Sequence, residues 1–195
     1  MTMPVLFIGH GSPLTIEQPK RLNEWRAWGA SLPRPRAVLM ISAHWETRPL
    51  MVGATSTQPL IYDFYGFPES YYQLSYSARG APQLASRIRE LLRDGGMAFG
   101  ERPDRGWDHG VWIPMLGLYP EADVPLLQIS LPSQDANELM QLGALLAPLR
   151  EEGVLIIASG LLTHNLRQWT PDGVVAPWAR AFDAWLAERL LARDW

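Results

Sequence analysis

The chain contains no cysteine. That excludes disulfides, thiolate metal sites and cysteine nucleophiles, and it is compatible with a reducing cytoplasm, where we expect the protein to reside. Charge is sparse and balanced: 17 Lys and Arg face 20 Asp and Glu, 19% of the chain, for a net charge of −3. No basic patch of the kind that tracks nucleic acid is visible. Arg34 and Arg36 share a Pro-rich turn, and Arg87, Arg89 and Arg93 share one expected helix, which reads as solvated surface. Long apolar runs are missing too. Residues 154–162 are apolar but short and interrupted by Gly160, so no membrane span is expected. Residues 1–11 lack a basic leader and read as a first strand, not a signal peptide.

What is present suits a globular α/β fold. Hydrophobic residues make up 47% of 195, ample for one well-buried domain. Residues 5–9, 37–42, 124–130 and 154–159 are short Val/Ile/Leu-rich runs with little polar alternation. Such runs mark strands of a mostly parallel central sheet covered by helices on both faces. Residues 51–54, 74–76 and 97–100 are weaker strand candidates. Helical spacing appears over 17–31, 82–93, 135–152 and 177–194, with Gly95-Gly96 and Gly153 as stops and Pro177 at a first turn. Strands alternating with helices predict an α/β sandwich. No repeat or linker is visible, so one domain is expected across 1–195. The nine tryptophans are expected mainly in the core, with a minority lining a pocket.

Only four histidines occur, and their positions carry the functional signal. His10 ends the first strand, His44 ends the second core strand, and His164 follows the strand at 154–159 after a short turn. Ligands of open parallel sheets bind outside the carboxyl ends of the strands. These three are therefore expected to converge at one sheet edge. His109 lies in Trp107-Asp108-His109-Gly110, ahead of an apolar stretch able to start a helix, with Asp108 as N-cap or as the carboxylate orienting His109. Imidazole binds divalent first-row metals without needing negative charge, and zinc, iron, manganese and nickel all accept such sites. The bland alternative, in which each histidine is a separate surface or hydrogen-bonded residue, stands against this reading.

Other chemistries fit less well. Gly9-His10-Gly11-Ser12-Pro13 is no nucleophile elbow and has no third glycine for a dinucleotide loop. Asp63, Asp104, Asp108 and Glu46 offer carboxylates without a telling spacing. A zinc-dependent hydrolase and a catalytically degenerate metal-binding or interaction domain remain the rivals.

The stretches Pro4-Val5-Leu6-Phe7-Ile8-Gly9-His10-Gly11-Ser12-Pro13, Leu32-Pro33-Arg34-Pro35 and Ile41-Ser42-Ala43-His44-Trp45 match a known family. So do Ile61-Tyr62-Asp63-Phe64-Tyr65-Gly66-Phe67-Pro68, Trp107-Asp108-His109-Gly110, Tyr119-Pro120-Glu121-Ala122-Asp123-Val124-Pro125, Ala158-Ser159-Gly160 and Thr163-His164-Asn165-Leu166-Arg167. Together and in this order they resemble the class III (LigB-type) extradiol ring-cleavage dioxygenases, in their DOPA 4,5-dioxygenase-like branch. The resemblance implies a non-haem iron(II) enzyme, with zinc as the alternative ion, that inserts O2 into a small catechol. It implies His10, His44 and His164 as metal residues and His109 and His164 as catalytic ones. His109 is expected as acid/base, with an exchange of roles with His164 left open. Ser12, Trp45, Phe64 and Asp108 are expected at the substrate. A small-molecule catechol and O2 are the expected partners, with no nucleic acid or membrane, in a monomer or homodimer. Members of the family continue past the position of Trp195 and carry a further histidine there. The chain is therefore expected to be a C-terminally incomplete catalytic domain.

Overall fold

The computed structural model describes residues 2–168, 170 and 173–194. The chain divides into two compact units, residues 1–160 and 161–195. The first holds six strands: β1 (Val5–Gly9), β2 (Ala37–Glu46), β3 (Leu50–Val52), β4 (Phe99–Glu101), β5 (Leu126–Leu131) and β6 (Val154–Gly160). It also holds four helices: α1 (Pro19–Ser31), α2 (Pro82–Asp94), α3 (His109–Leu118) and α4 (Ala136–Leu146).

The strands form one sheet in the order β1-β6-β2-β5-β3-β4. The pairs β1/β6, β6/β2, β2/β5 and β3/β4 are parallel, and β3 meets β5 in antiparallel fashion at Val52 and Ile129. Side chains alternate across this sheet and build a core on each face. Val38, Met40, Leu126, Leu155 and Ile157 pack with Trp25 of α1 and with Val111, Trp112 and Met115 of α3. Leu39, Leu127, Ile129 and Ile156 pack on the other face with Ile88 and Leu92 of α2 and Leu142 and Leu146 of α4. Helices on both faces of a mostly parallel sheet are what the unbroken apolar runs predict.

The helices differ in how they earn burial. In α2, Leu84, Ala85, Ile88 and Leu92 make one buried stripe, the usual amphipathic pattern. In α3, nine of ten residues are buried, and a helix apolar all round belongs inside a protein. It can lie that deep because its neighbours approach closely. A side chain at Gly29 of α1 would overlap the backbone carbonyl of Leu118.

Three sequence expectations change on folding. The run 135–152 splits into α4 and a 3-10 turn, Ala147–Arg150, because Pro148 lacks the N–H that a continuing helix needs. The helix expected from 17 begins at Pro19, since Pro13–Glu17 forms its own 3-10 turn capped by Ser12. Residues 74–76 are not a strand. The Leu74 carbonyl accepts from the Tyr62 hydroxyl, and the Tyr76 hydroxyl donates to the Tyr119 carbonyl.

The second unit holds a 3-10 turn, Leu166–Gln168, and α5 (Pro177–Ala192). Within it Arg189 pairs with Asp194 and Phe182 lies 5.6 Å from Trp185. No helix among the described residues is long and apolar enough to cross a membrane.

Candidate functional site

Parallel pairing brings the carboxyl ends of β1, β6 and β2 to one edge: Gly9 is level with Gly160, and Ser42 with Ser159. His10 follows β1 directly. His44 lies inside β2, which runs on to Glu46 past a register shift after Ile41. His109 is the first residue of α3, which packs over the same sheet edge.

The three rings meet. Ring centroids are 5.0 Å apart for His10 and His44, 5.2 Å for His10 and His109, and 4.1 Å for His44 and His109. One ligand nitrogen from each lies within 4.8 Å of the others. His10 and His109 are nearly buried, whereas the His44 side chain is 28% exposed and forms the open side.

Each ring is aimed by a partner on its Nδ1. The Ser159 hydroxyl donates to the Gly110 carbonyl, so its oxygen accepts from His10 Nδ1 at 2.9 Å. The donation has a local cause. The Gly110 carbonyl would normally receive the N–H of residue 114 in α3, and that residue is Pro114. Asp63 serves the other two rings. Its Oδ1 accepts from His109 Nδ1 at 2.7 Å and from the His109 backbone N–H at 3.1 Å, and its Oδ2 lies 3.2 Å from His44 Nδ1. An oxygen acceptor beside each Nδ1 favours N–H at that atom and the lone pair at Nε2.

This donor set fits a divalent cation. His10 Nε2 and His44 Nε2 face each other at 3.0 Å. Two nitrogens each about 2.1 Å from a common ion, at roughly a right angle, would stand that far apart. Two lone pairs at such a distance repel unless positive charge lies between them.

Burial pushes the Asp63 carboxyl up. The side-chain hydrogen bond and electrostatic attraction of His109, its backbone N–H and the attraction of His44 outweigh burial and hold it below the ordinary carboxylate value. Opposite charge and donated hydrogen bonds both favour the ionised form.

Asp108 sits beneath the cluster. It is wholly buried and accepts from Ser42 Oγ at 2.7 Å, Gln128 Nε2 at 2.6 Å and Arg105 Nη2 at 3.2 Å. Ser42 Oγ in turn accepts from the His44 backbone N–H at 3.2 Å. Asp108 is the N-cap residue of α3 by position, but its side chain makes no cap bond. The carboxylate that orients His109 is Asp63, not Asp108. Gly110 allows these layers to close: a Cβ there would overlap Ser42 Oγ and come within 2.9 Å of His44 Cδ2.

The other expected substrate residues fall in different surroundings. Phe64 meets the His109 ring edge-on at 5.7 Å and belongs to an aromatic wall with Tyr62, Tyr72 and Trp112. Ser12 is exposed and caps the 3-10 turn after His10. Trp45 is buried, with the Arg105 guanidinium 4.4 Å above its ring. His164 belongs to the second unit and is exposed there. Asp63 and Ser159 were not assigned to the site by sequence reasoning. Their signal was membership in the Tyr62-Asp63-Phe64 and Ala158-Ser159-Gly160 motifs, and Asp63 also stood among the carboxylates that no spacing singled out.

Residues 5–195 match the family model of the catalytic LigB subunit of aromatic ring-opening dioxygenase. The chain is 46% identical over 193 residues to a protein of Beta vulgaris called "4,5-DOPA dioxygenase extradiol", covering 94% of this chain and 71% of that one. It is 41% identical over 192 residues to the protein of the same name in Escherichia coli K12, covering 96% and 70%. The crystal structure of an uncharacterized Escherichia coli K12 protein superposes with a TM-score of 0.80 at 37% identity, covering 96% of this chain and 72% of that one. A histidine cluster able to hold a metal, on a mostly parallel α/β sheet, thus coincides with sequence relationship along nearly the whole chain, and the chain belongs to the LigB family of extradiol aromatic ring-opening dioxygenases.

Proposed function

We propose that this chain opens the ring of a DOPA-like catechol with O2 at a single ferrous ion held by His10 and His44. The observation that carries this reading is the convergence of the His10, His44 and His109 rings, with Nε2 of His10 and His44 facing each other and His109 Nδ1 bound to Asp63. The names of the relatives support DOPA or a close analogue as substrate. When bound, ferrous iron would supply positions for both catechol oxygens and for O2, and a path for electrons from ring to oxygen.

The protein's own residues do the rest. His109, with Asp63 behind it, takes the proton of a catechol hydroxyl on Nε2 and later returns it. Imidazole is a side chain that can serve as base and then as acid on the same nitrogen. Asp63 stabilises the imidazolium that forms in between, as a buried carboxylate behind a catalytic histidine does. Phe64 and its aromatic neighbours give the flat ring a wall beside His109. Ser159 and the Asp108–Ser42 pair keep His10 and His44 in place. For His164, and for Ser12 and Trp45 at the substrate, the resemblance alone supports a role. Zinc is the alternative ion, since the same nitrogens accept it. Both units serve one catalytic domain, in a cytoplasmic monomer or homodimer.

The test is anaerobic loading with Fe(II), addition of DOPA, then air. We expect a yellow ring-fission product and one O2 consumed per catechol. A loaded protein that neither colours nor takes up oxygen refutes the proposal.

A further inference from the structure

We propose that Asp63 is the positioning residue of this site, a single carboxylate that sets the tautomer of two imidazoles at once. The inference rests on the reading that the histidine cluster is the reaction centre. Its two oxygens divide the work: Oδ1 accepts from His109 Nδ1 and the His109 backbone N–H, and Oδ2 makes an ion-pair contact with His44 Nδ1 at 3.2 Å. A carboxylate accepts only, so it favours N–H at the Nδ1 of each ring beside it and the lone pair at Nε2. No other carboxylate described at the site does this. Asp108, adjacent to His109 in the chain, is committed to Ser42, Gln128 and Arg105.

The arrangement links two functions that are usually held separately. His44 contributes a ligand nitrogen and His109 handles the proton, yet both depend on one charge. Hydrogen bonding to a carboxylate strengthens a ring nitrogen as a ligand. His10 is held by the Ser159 hydroxyl and not by Asp63.

Asp63→Asn separates this role from simple packing. The amide keeps the shape but offers one acceptor and one donor, so it cannot accept from both rings. In metal-free wild type, nitrogen-15 NMR should show Nδ1–H tautomers for both His44 and His109. In D63N one of them should become Nε2–H, and Zn(II) affinity should fall by about 10–100-fold while circular dichroism stays native. D63E, with both acceptors restored, should recover part of that affinity. Wild type with either ring as Nε2–H overturns the proposal, even if D63N fails to fold. So does a folded D63N with both tautomers unchanged and Zn(II) affinity within about twofold of wild type. If both tautomers and the D63N effect are seen but no catechol is cleaved, the assignment of Asp63 stands and the dioxygenase reading fails.

Discussion

Ser159→Ala tests the reasoning about His10 most directly. The hydroxyl occupies a buried place between two elements, accepting from His10 Nδ1 and donating to the Gly110 carbonyl. Alanine fits without strain, so packing changes little. What is lost is the partner of a buried ring N–H and the donor to a carbonyl that Pro114 cannot satisfy. Leaving one buried polar group unpaired costs about 1–3 kcal/mol. For two such groups, with partial relaxation, we expect about 2–4 kcal/mol in total. At about 2–4 °C per kcal/mol for a protein of this size, the melting temperature should fall by about 4–16 °C. The His10 ring also loses what holds its tautomer, and metal affinity should fall by about 10–100-fold. Thermal unfolding followed by circular dichroism reads the first effect. Competition for Zn(II) against a chelator reads the second. A variant with unchanged melting temperature and unchanged affinity would show that the Ser159 hydroxyl does not hold His10, and the tautomer argument for that ring would fall.

Gly110→Ala should abolish metal binding, because the new methyl overlaps Ser42 Oγ and crowds the His44 ring; wild-type affinity on titration would contradict the packing described. Asp108→Asn should destabilise the protein by about 3–5 kcal/mol, since an amide group would face buried donors including Arg105; urea unfolding measures it, and a loss below about 1 kcal/mol would refute the burial argument. Ile88→Ala, in the core on the far face of the sheet, should cost about 2–5 kcal/mol without altering affinity for metal; a large loss of affinity would show that the two cores are not independent. Replacing His109 with Gln should suppress product formation while the protein still binds Zn(II), and replacing His164 with Ala tests the role that family resemblance alone supports. Loss of metal binding on His109→Gln would make His109 a ligand in place of the acid/base.

The architecture was legible because its causes are local. Apolar runs at 37–42 and 154–159 are covered on both faces and read as central parallel strands; they became β2 and β6. The stripe Leu84, Ala85, Ile88 and Leu92 reads as a helix with one buried side. The short strands were harder to bound. Three-residue β3 and β4 contain little periodicity, and their ladders were set by neighbours distant in the chain. Proline stopped the helix after 146 within a run whose apolar spacing continued.

Strand composition and motif order are properties of the chain alone, and they pointed to the fold class, the family and four histidines of interest, His10, His44, His109 and His164, with His164 expected beside His10 and His44. Folding brought His109 to His10 and His44 and chose the groups that face those rings. Asp63 stands 46 residues from His109, and Ser159 stands 149 residues from His10. Hydrogen-bond partners at such separations are chosen by sheet register and helix packing, which no local pattern encodes. Asp108, the carboxylate adjacent in sequence to His109, was drawn beneath the site by Ser42, Gln128 and Arg105, and the one reaching both rings came from a loop.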